Sequence, residues 1–384
     1  MPNILSADEK AILKDLAAQL AGIAALPQMQ QKRAMWVAHN QGQGQRPMVL
    51  IDQIPWHEMD VDGSLACRVR DPYWQDVEQD MRRTLYRWRH LPADMIVNPY
   101  LCLPQPLRGT WYGVDIVEDS LATDASNDVV SHAYVNQIRD EEDLQRITAP
   151  TAVLDKKAQA QIGEQAEDLF AGVLPWKMAG VCPHLGLWDH ISMWMGVQDI
   201  YFDLIDRPEL LHALMEKMTD ATVTYVQQLN RDGLIDVYRN MCHCSCTLSG
   251  DLPPADMDPA RPTAKDGWAF GMAQLFSSVS PQVTAEFEVP YMQRIFSLFG
   301  AIYYGCCDRL DDRLDVILQM PNIRKVSCSP WSDRDAFAEK LPKGLVMSAK
   351  PTPAPLAVGA RWRTCGRTCG TPSPPPGGAR CRWK

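Results

Sequence analysis

AIYYGCCDRLDDRLDVILQMPNIRKVSCSPWSDRDAFAEKLPKGLVMSAKP (301–351) places three apolar runs of strand length, AIYYGCC (301–307), IRKVSCSP (323–330) and GLVMSAKP (344–351), at regular intervals. Each interval is long enough for a helix. Antiparallel neighbours can be joined by a tight turn, whereas parallel strands need a crossover of about a dozen residues, usually helical. Strand and helix alternating in this way predict a parallel sheet covered by helices.

The alternation extends upstream. Counting backwards, the candidate core strands are 344–350, 323–330, 301–307, 234–240, 176–182, 95–103 and 48–54. VVSHAYV (129–135) reads as a strand or hairpin arm in an excursion. Ser6 and Glu9 form a capping box ahead of Ile12, Leu13, Leu16, Leu20 and Ile23 at helical spacing. A second helix is predicted over 73–91, with Trp74, Val77, Met81, Leu85 and Trp88 on one face. A third is predicted from an Asp206 cap with Pro208 and Glu209 in its first turn. A fourth opens at Ser280-Pro281 and runs through Phe299. No G-x-G-x-x-G or Walker-type loop follows any strand, which argues against a doubly wound sheet. The predicted fold is a (β/α)8 TIM-type barrel lacking its last strand-helix unit. Residues 1–45 form an N-terminal helical extension, 46–354 the barrel, and 355–384 an aberrant tail.

That tail is compositionally foreign. Residues 351–384 hold six Lys or Arg and no Asp or Glu, so the preceding body carries 32 basic against 47 acidic residues, a net of −15. Gly, Pro, Arg and Cys dominate the tail, as when GC-rich coding DNA is read out of frame, and the expectation is disorder. So acidic a body disfavours nucleic acid, whose phosphates need clustered Lys and Arg. The 384 residues, 46% of them hydrophobic and 22% charged, suit a globular protein with a large core. No apolar run approaches the about 18 residues a membrane span needs, and no secretory signal is visible, so the sequence reads as cytoplasmic.

Barrel chemistry sits at the carboxyl ends of the strands, and those ends are rich in thiols and imidazoles. Cys102, Cys182, His184, Cys328 and the run Cys242-His243-Cys244-Ser245-Cys246 all fall there, as do Cys306-Cys307-Asp308. Zinc takes thiolate and imidazole ligands, and His243, Cys244, Cys246 and Cys306 are the candidate set. Such a centre would hold a thiol substrate as the more nucleophilic thiolate. Taken singly, Cys102, Cys182 and Cys328 read as small core hydrophobes, and His90, His132 and His190 as structural histidines. RRTLYRWRH (82–90) reads as a helix with Leu85 and Trp88 inward and its arginines in solvent. The segment QIPWHEMD (53–60) puts Trp56, His57 and Glu58 at the mouth. His57 and Glu58 are candidates for proton handling, although adjacent residues in extended structure point to opposite sides.

IYYGCC…PNIRK…SPW, together with RPMVLIDQIPWHEMD, RRTLYRWRHLPADMIV, VVSHAY and SAKPTP, resembles the uroporphyrinogen decarboxylase-like superfamily, in the subgroup related to corrinoid-dependent methyltransferases. The resemblance covers residues 30 to about 354. It implies methyl transfer between a corrinoid, free or borne by a partner protein, and a thiol or folate acceptor. Tyr304 is the implied catalytic side chain beside His57 and Glu58, with Trp56, Asp52 and Asp308 lining the cofactor side. Relatives hold zinc through His-x-Cys and a later Cys. Here the matching triplet is Tyr304-Gly305-Cys306, and the later Cys would fall beyond 354. The decarboxylases that name the superfamily hold substrate carboxylates with arginines after the first strand. QIPWHEMD has none, which puts uroporphyrinogen decarboxylation second. An inactive barrel with two unpaired edges, the product of a damaged gene, is the third reading.

Overall fold

A computed structural model describes residues 4–122 and 130–354. The expectations for residues 355–384 lie outside that range. The chain is a mixed α/β structure, with twelve α-helices among the described residues and parallel pairing in its five-stranded sheet and in one two-stranded sheet.

Seven parallel strands organise it. They are β1 (Leu101–Pro104), β2 (Trp176–Ala179), β3 (His184–Leu185), β4 (Trp268–Gly271), β5 (Ala301–Tyr304), β6 (Ile323–Cys328) and β7 (Val346–Ala349). β1 pairs with β2, in register Leu101 to Trp176. β3 to β7 form one five-stranded sheet in chain order, with Phe270 opposite His184 and Lys325 opposite Val346. A single parallel bridge, Val181 to Ile235, lies between the two groups.

Several predicted elements change. β4 was not anticipated, although all four of its residues are buried. Its run is short, Gly267 and Gly271 flank it, and a long loop precedes it, so no periodicity marks it. The expected strand 234–240 shrinks to that one bridge. The Asp236 carboxylate accepts the backbone N–H groups of Tyr238 (2.9 Å) and Arg239 (3.3 Å), turning the chain away from a ladder. Residues 48–54 form no strand, yet Val49 still accepts a bond from the Asp94 N–H at 2.9 Å and donates one to its carboxylate at 2.8 Å. Asp206 does not cap the long helix Pro208–Asp232. It ends the preceding helix Val197–Asp206, and Arg207 takes the cap position. The helix expected from Ser280 to Phe299 breaks into Pro281–Phe287 and Val289–Phe296, because Pro290 has no N–H to continue the ladder.

Other signals hold. The Ser6–Glu9 capping box starts the helix Ala7–Ala24. Asp71 caps the helix Pro72–His90, which buries Trp74, Val77, Met81 and Leu85. Ser131–Tyr134 is a hairpin arm paired antiparallel with Glu118–Leu121. Three apolar clusters result. One packs the N-terminal helices against β1 and residues 162–174, the largest packs the later helices against β4, β5 and β6, and a small one joins Cys242 to Trp268, Phe270, Ala301 and Tyr303. The N-terminal helices are tied into the body, with Trp36 Nε1 donating to the Asp94 carbonyl at 2.8 Å.

Candidate functional site

A short hairpin fills the space inside the strand layer. Met241–Cys242 and Ser245–Cys246 pair antiparallel around a two-residue turn, where His243 takes the left-handed φ of 50° such turns require. Each hairpin side chain meets a different strand. Cys242 Sγ lies 3.6 Å from Cys182 Sγ, beyond β2, and Cys244 Sγ 3.4 Å from the Tyr303 hydroxyl on β5. Ser245 Oγ accepts from Lys325 Nζ on β6 at 3.0 Å.

His243, at the tip, stacks on Phe270 of β4 with ring centroids 4.1 Å apart. Its Nε2 lies 3.2 Å from Cys306 Sγ, just past the end of β5. His184 completes the aromatic wall, 4.9 Å from Phe270 and 6.0 Å from His243. Lys350, one residue past β7, donates to the Cys306 carbonyl at 2.8 Å. The site thus gathers the carboxyl ends of β3, β4, β5 and β7.

Burial sets the electrostatics. It pushes the Cys306 thiol up to about 12, against the opposing pull of the Lys350 ammonium. Burial also lowers His243, assisted by Lys350 and opposed by Asp52. Both effects favour a neutral thiol beside a neutral imidazole. Asp308 anchors the turn, because its Oδ1 accepts the Cys306 N–H at 2.7 Å while Oδ2 stays buried without a partner.

The predicted zinc set does not assemble. Of His243, Cys244, Cys246 and Cys306, only the first and last meet. Cys244 turns to Tyr303, and Cys246 is buried beneath the hairpin, where its carbonyl accepts from Lys325 at 2.7 Å and from Asn40 at 3.1 Å. Among the described residues no group of three or more His, Cys, Asp or Glu converges as a metal site. A catalytic zinc takes three protein ligands and an open position, and His243 with Cys306 supplies two of them.

Tyr304 also lies elsewhere. Successive strand residues face opposite sides. Tyr303 therefore looks inward to Cys244, and Tyr304 outward, fully buried, with its hydroxyl donating to Glu288 at 3.2 Å. His57 and Glu58 do come together, because Trp56–Met59 is a helical turn rather than extended chain. Their 3.4 Å pair is largely exposed, and such pairs contribute little. Trp56 packs its edge on Tyr86 and lies 5.2 Å below the Arg83 guanidinium. Asp52 pairs with Arg87 at 3.6 Å. Arginines thus reach the first-strand mouth from the helix Pro72–His90, although QIPWHEMD contains none.

The sequence reading missed Tyr303, Phe270, Lys325 and Lys350. Strand parity was the available signal for Tyr303, and position at a strand end for Lys350. Comparison with protein-family models, characterised proteins and solved structures returned no match. No described helix is long and apolar enough to cross a membrane.

Proposed function

We propose that the parallel strands belong to a (β/α)8 barrel and that the protein transfers a methyl group between a corrinoid, free or carried by a partner protein, and a small thiol or folate acceptor. The observation that carries the reading is the His243–Cys306 contact at the carboxyl ends of the strands. Taking 176–185, which carries both β2 and β3, as one strand and adding the Leu234–Asp236 segment, the layer has a seven-strand run from β1 to β7 with one bridge inside it. Residues 42–51 supply the eighth position. A Cβ at Gly42 would come 2.7 Å from the Gly344 Cα beside β7, and Val49 bonds Asp94 ahead of β1. On this reading the strand layer closes before residue 355, which disfavours an inactive open barrel.

A methylated corrinoid would supply the methyl group as a cation equivalent, the electron pair of the broken cobalt–carbon bond staying with the corrinoid. The acceptor sulfur or nitrogen therefore provides the electron pair and must shed its proton. Neutral His243 is suited to accept that proton at Nδ1, in the tautomer whose Nε2–H faces the Cys306 sulfur, while stacking on Phe270 fixes the ring. Lys350 then disfavours a lasting imidazolium, so the proton passes on to solvent at the open tip. No step is routed through zinc.

The test is product analysis. Purified full chain with methylcobalamin and 2-mercaptoethanol or tetrahydrofolate should give the methylated acceptor, and uroporphyrinogen should remain unchanged. Coproporphyrinogen at an enzymatic rate would reverse the order of the two activities.

A further inference from the structure

Two cysteines 60 residues apart in sequence meet where the hairpin passes the strand segment 176–185. Cys182 Sγ and Cys242 Sγ stand 3.6 Å apart, and Cys182 also donates to the Trp268 carbonyl at 3.5 Å. Both backbones are anchored. Beside Cys182, the Val181 N–H donates to the Leu234 carbonyl at 2.7 Å, and the Val181 carbonyl accepts from Asp236 at 2.9 Å. Cys242 sits in the hairpin ladder opposite Ser245. The surroundings are apolar, since Cys242 belongs to the cluster with Trp268, Phe270, Ala301 and Tyr303, against which Cys182 packs. Disulfide sulfurs lie about 2.05 Å apart, so closing this pair asks for about 1.5 Å of movement, within reach of side-chain rotation.

A cavity of about 80 Å³ is lined by both cysteines, together with Tyr100, Arg239, Thr247 and Trp268. About 10–15 Å³ of such space holds one water, so a molecule of two heavy atoms fits here. The two thiols are unequally placed. Cys182 is half-buried, whereas Cys242 is 1% exposed. Reaction from the cavity therefore begins at Cys182, which leaves Cys242 as the resolving thiol. A second close approach of sulfurs, Cys306 to Cys307 at 3.6 Å, joins neighbours in sequence. Closing a ring there would strain the peptide bond between them.

We propose that Cys182 and Cys242 form a reversible disulfide in response to hydrogen peroxide, fastening the hairpin that carries His243 to the segment that carries His184. In the first step Cys182 Sγ, its proton released to water, attacks one peroxide oxygen. The O–O bond breaks, the departing hydroxide takes up a proton to leave as water, and Cys182 becomes a sulfenic acid. Cys242 Sγ then attacks that sulfur. The S–O bond breaks, and the hydroxide leaves as a second water with the Cys242 proton. Two thiols are thereby oxidised to one disulfide, and one peroxide is reduced to two waters. A thiol reductant reverses the change by exchange. The reaction uses neither His243 nor Cys306, so it stands independently of the methyl-transfer reading.

The experiment treats the reduced full chain with hydrogen peroxide, blocks the remaining thiols in denaturant with N-ethylmaleimide, and maps an unreduced digest by tandem mass spectrometry. The expected product is a cross-link between Cys182 and Cys242, lighter by two hydrogens and lost on treatment with dithiothreitol. It should raise the urea midpoint of unfolding, because it closes a long loop in the unfolded chain. Cys242→Ala should accumulate a sulfenic acid at Cys182 that dimedone traps. Cys182→Ala should give neither a cross-link nor a dimedone adduct at Cys242. Because Cys182 is only half-buried, this variant carries the test even if Cys242→Ala fails to fold. Cys307→Ser should form the Cys182–Cys242 link as the parent does. The proposal is overturned if both cysteines still carry maleimide after peroxide treatment, or if either is bonded to another cysteine instead. A dimedone adduct at Cys242 in Cys182→Ala, or a linked chain that unfolds no later than the reduced one, would also overturn it.

Discussion

The five-stranded sheet β3–β7 and the two-stranded pair β1–β2 carry the same kind of parallel ladder but use it differently. In the larger sheet both faces are packed. Phe270 and Tyr303 meet the hairpin on the inside, while Ala269, Ile302 and Tyr304 join the helical core on the outside. In the pair the outward face is apolar, and the other face carries Tyr100, Cys102 and Lys177, with the ammonium between the Tyr100 and Tyr238 rings. Packing on both faces holds side chains rigidly enough to orient a reacting group. The hairpin 241–246 stands between the two regimes, with its tip on the rigid side.

Phe270→Ala should show the contrast most strongly. The ring is nearly fully buried between His184, His243 and Tyr303, so its removal should cost about 3–5 kcal/mol in urea unfolding. Tyr100→Phe ahead of β1 loses only the 2.8 Å bond to the Tyr238 carbonyl, about 1 kcal/mol. Equal costs at the two positions would break the comparison.

Lys325 sharpens it through pH. This ammonium is buried, bonded to Ser245 and Cys246 with no carboxylate partner, and burial lowers it from 10.5 to about 8. Between those values the unfolded chain holds the extra proton, so the Lys325 contribution to stability rises with pH, by up to about 3 kcal/mol across the window. Thiols act in the opposite sense. Burial raises Cys102 and Cys306 from 9.0 to about 12, so their contribution is intact below pH 9 and is lost above it. Unfolding midpoints should therefore rise from pH 8 to 9 and then fall. Lys325→Met should lose the rise and keep the fall. A variant with the parental pH profile would show that the lysine is not the cause.

The same contrast explains what the sequence made legible. Helix starts are local chemistry, and Ser6 with Glu9 and Ser280 with Pro281 begin helices where expected. The strands 301–304, 323–328 and 346–349 announced themselves as apolar runs between helices. β4 did not, because a four-residue run bounded by glycines has too short a period to read. The bend after Asp236 was hidden because a carboxylate that captures its neighbours' N–H groups looks like any other strand residue in the sequence. At the site, the run of Cys and His singled out in the sequence folds into a hairpin. Which of its members meet was not legible, since a hairpin sends alternate side chains to different strands. Tyr304 was chosen over Tyr303 for lack of a parity reference. Arg82, Arg83 and Arg87 were read as solvent-facing because helical spacing identifies a face without saying what lies opposite it, yet they meet Glu78, Trp56 and Asp52.

The most direct test of the account compares rates of methyl transfer from methylcobalamin to 2-mercaptoethanol, followed by the loss of cobalt–carbon absorbance, in the parent and three variants. His243→Ala should slow transfer by a hundredfold or more, the usual scale for a lost general base. Cys306→Ser should slow it measurably by loosening the ring. Cys67→Ala, far from the strand ends, should remain within twofold. A parent that transfers no methyl group, or a His243→Ala variant as fast as the parent, would contradict the assignment of the reaction to the His243–Cys306 pair.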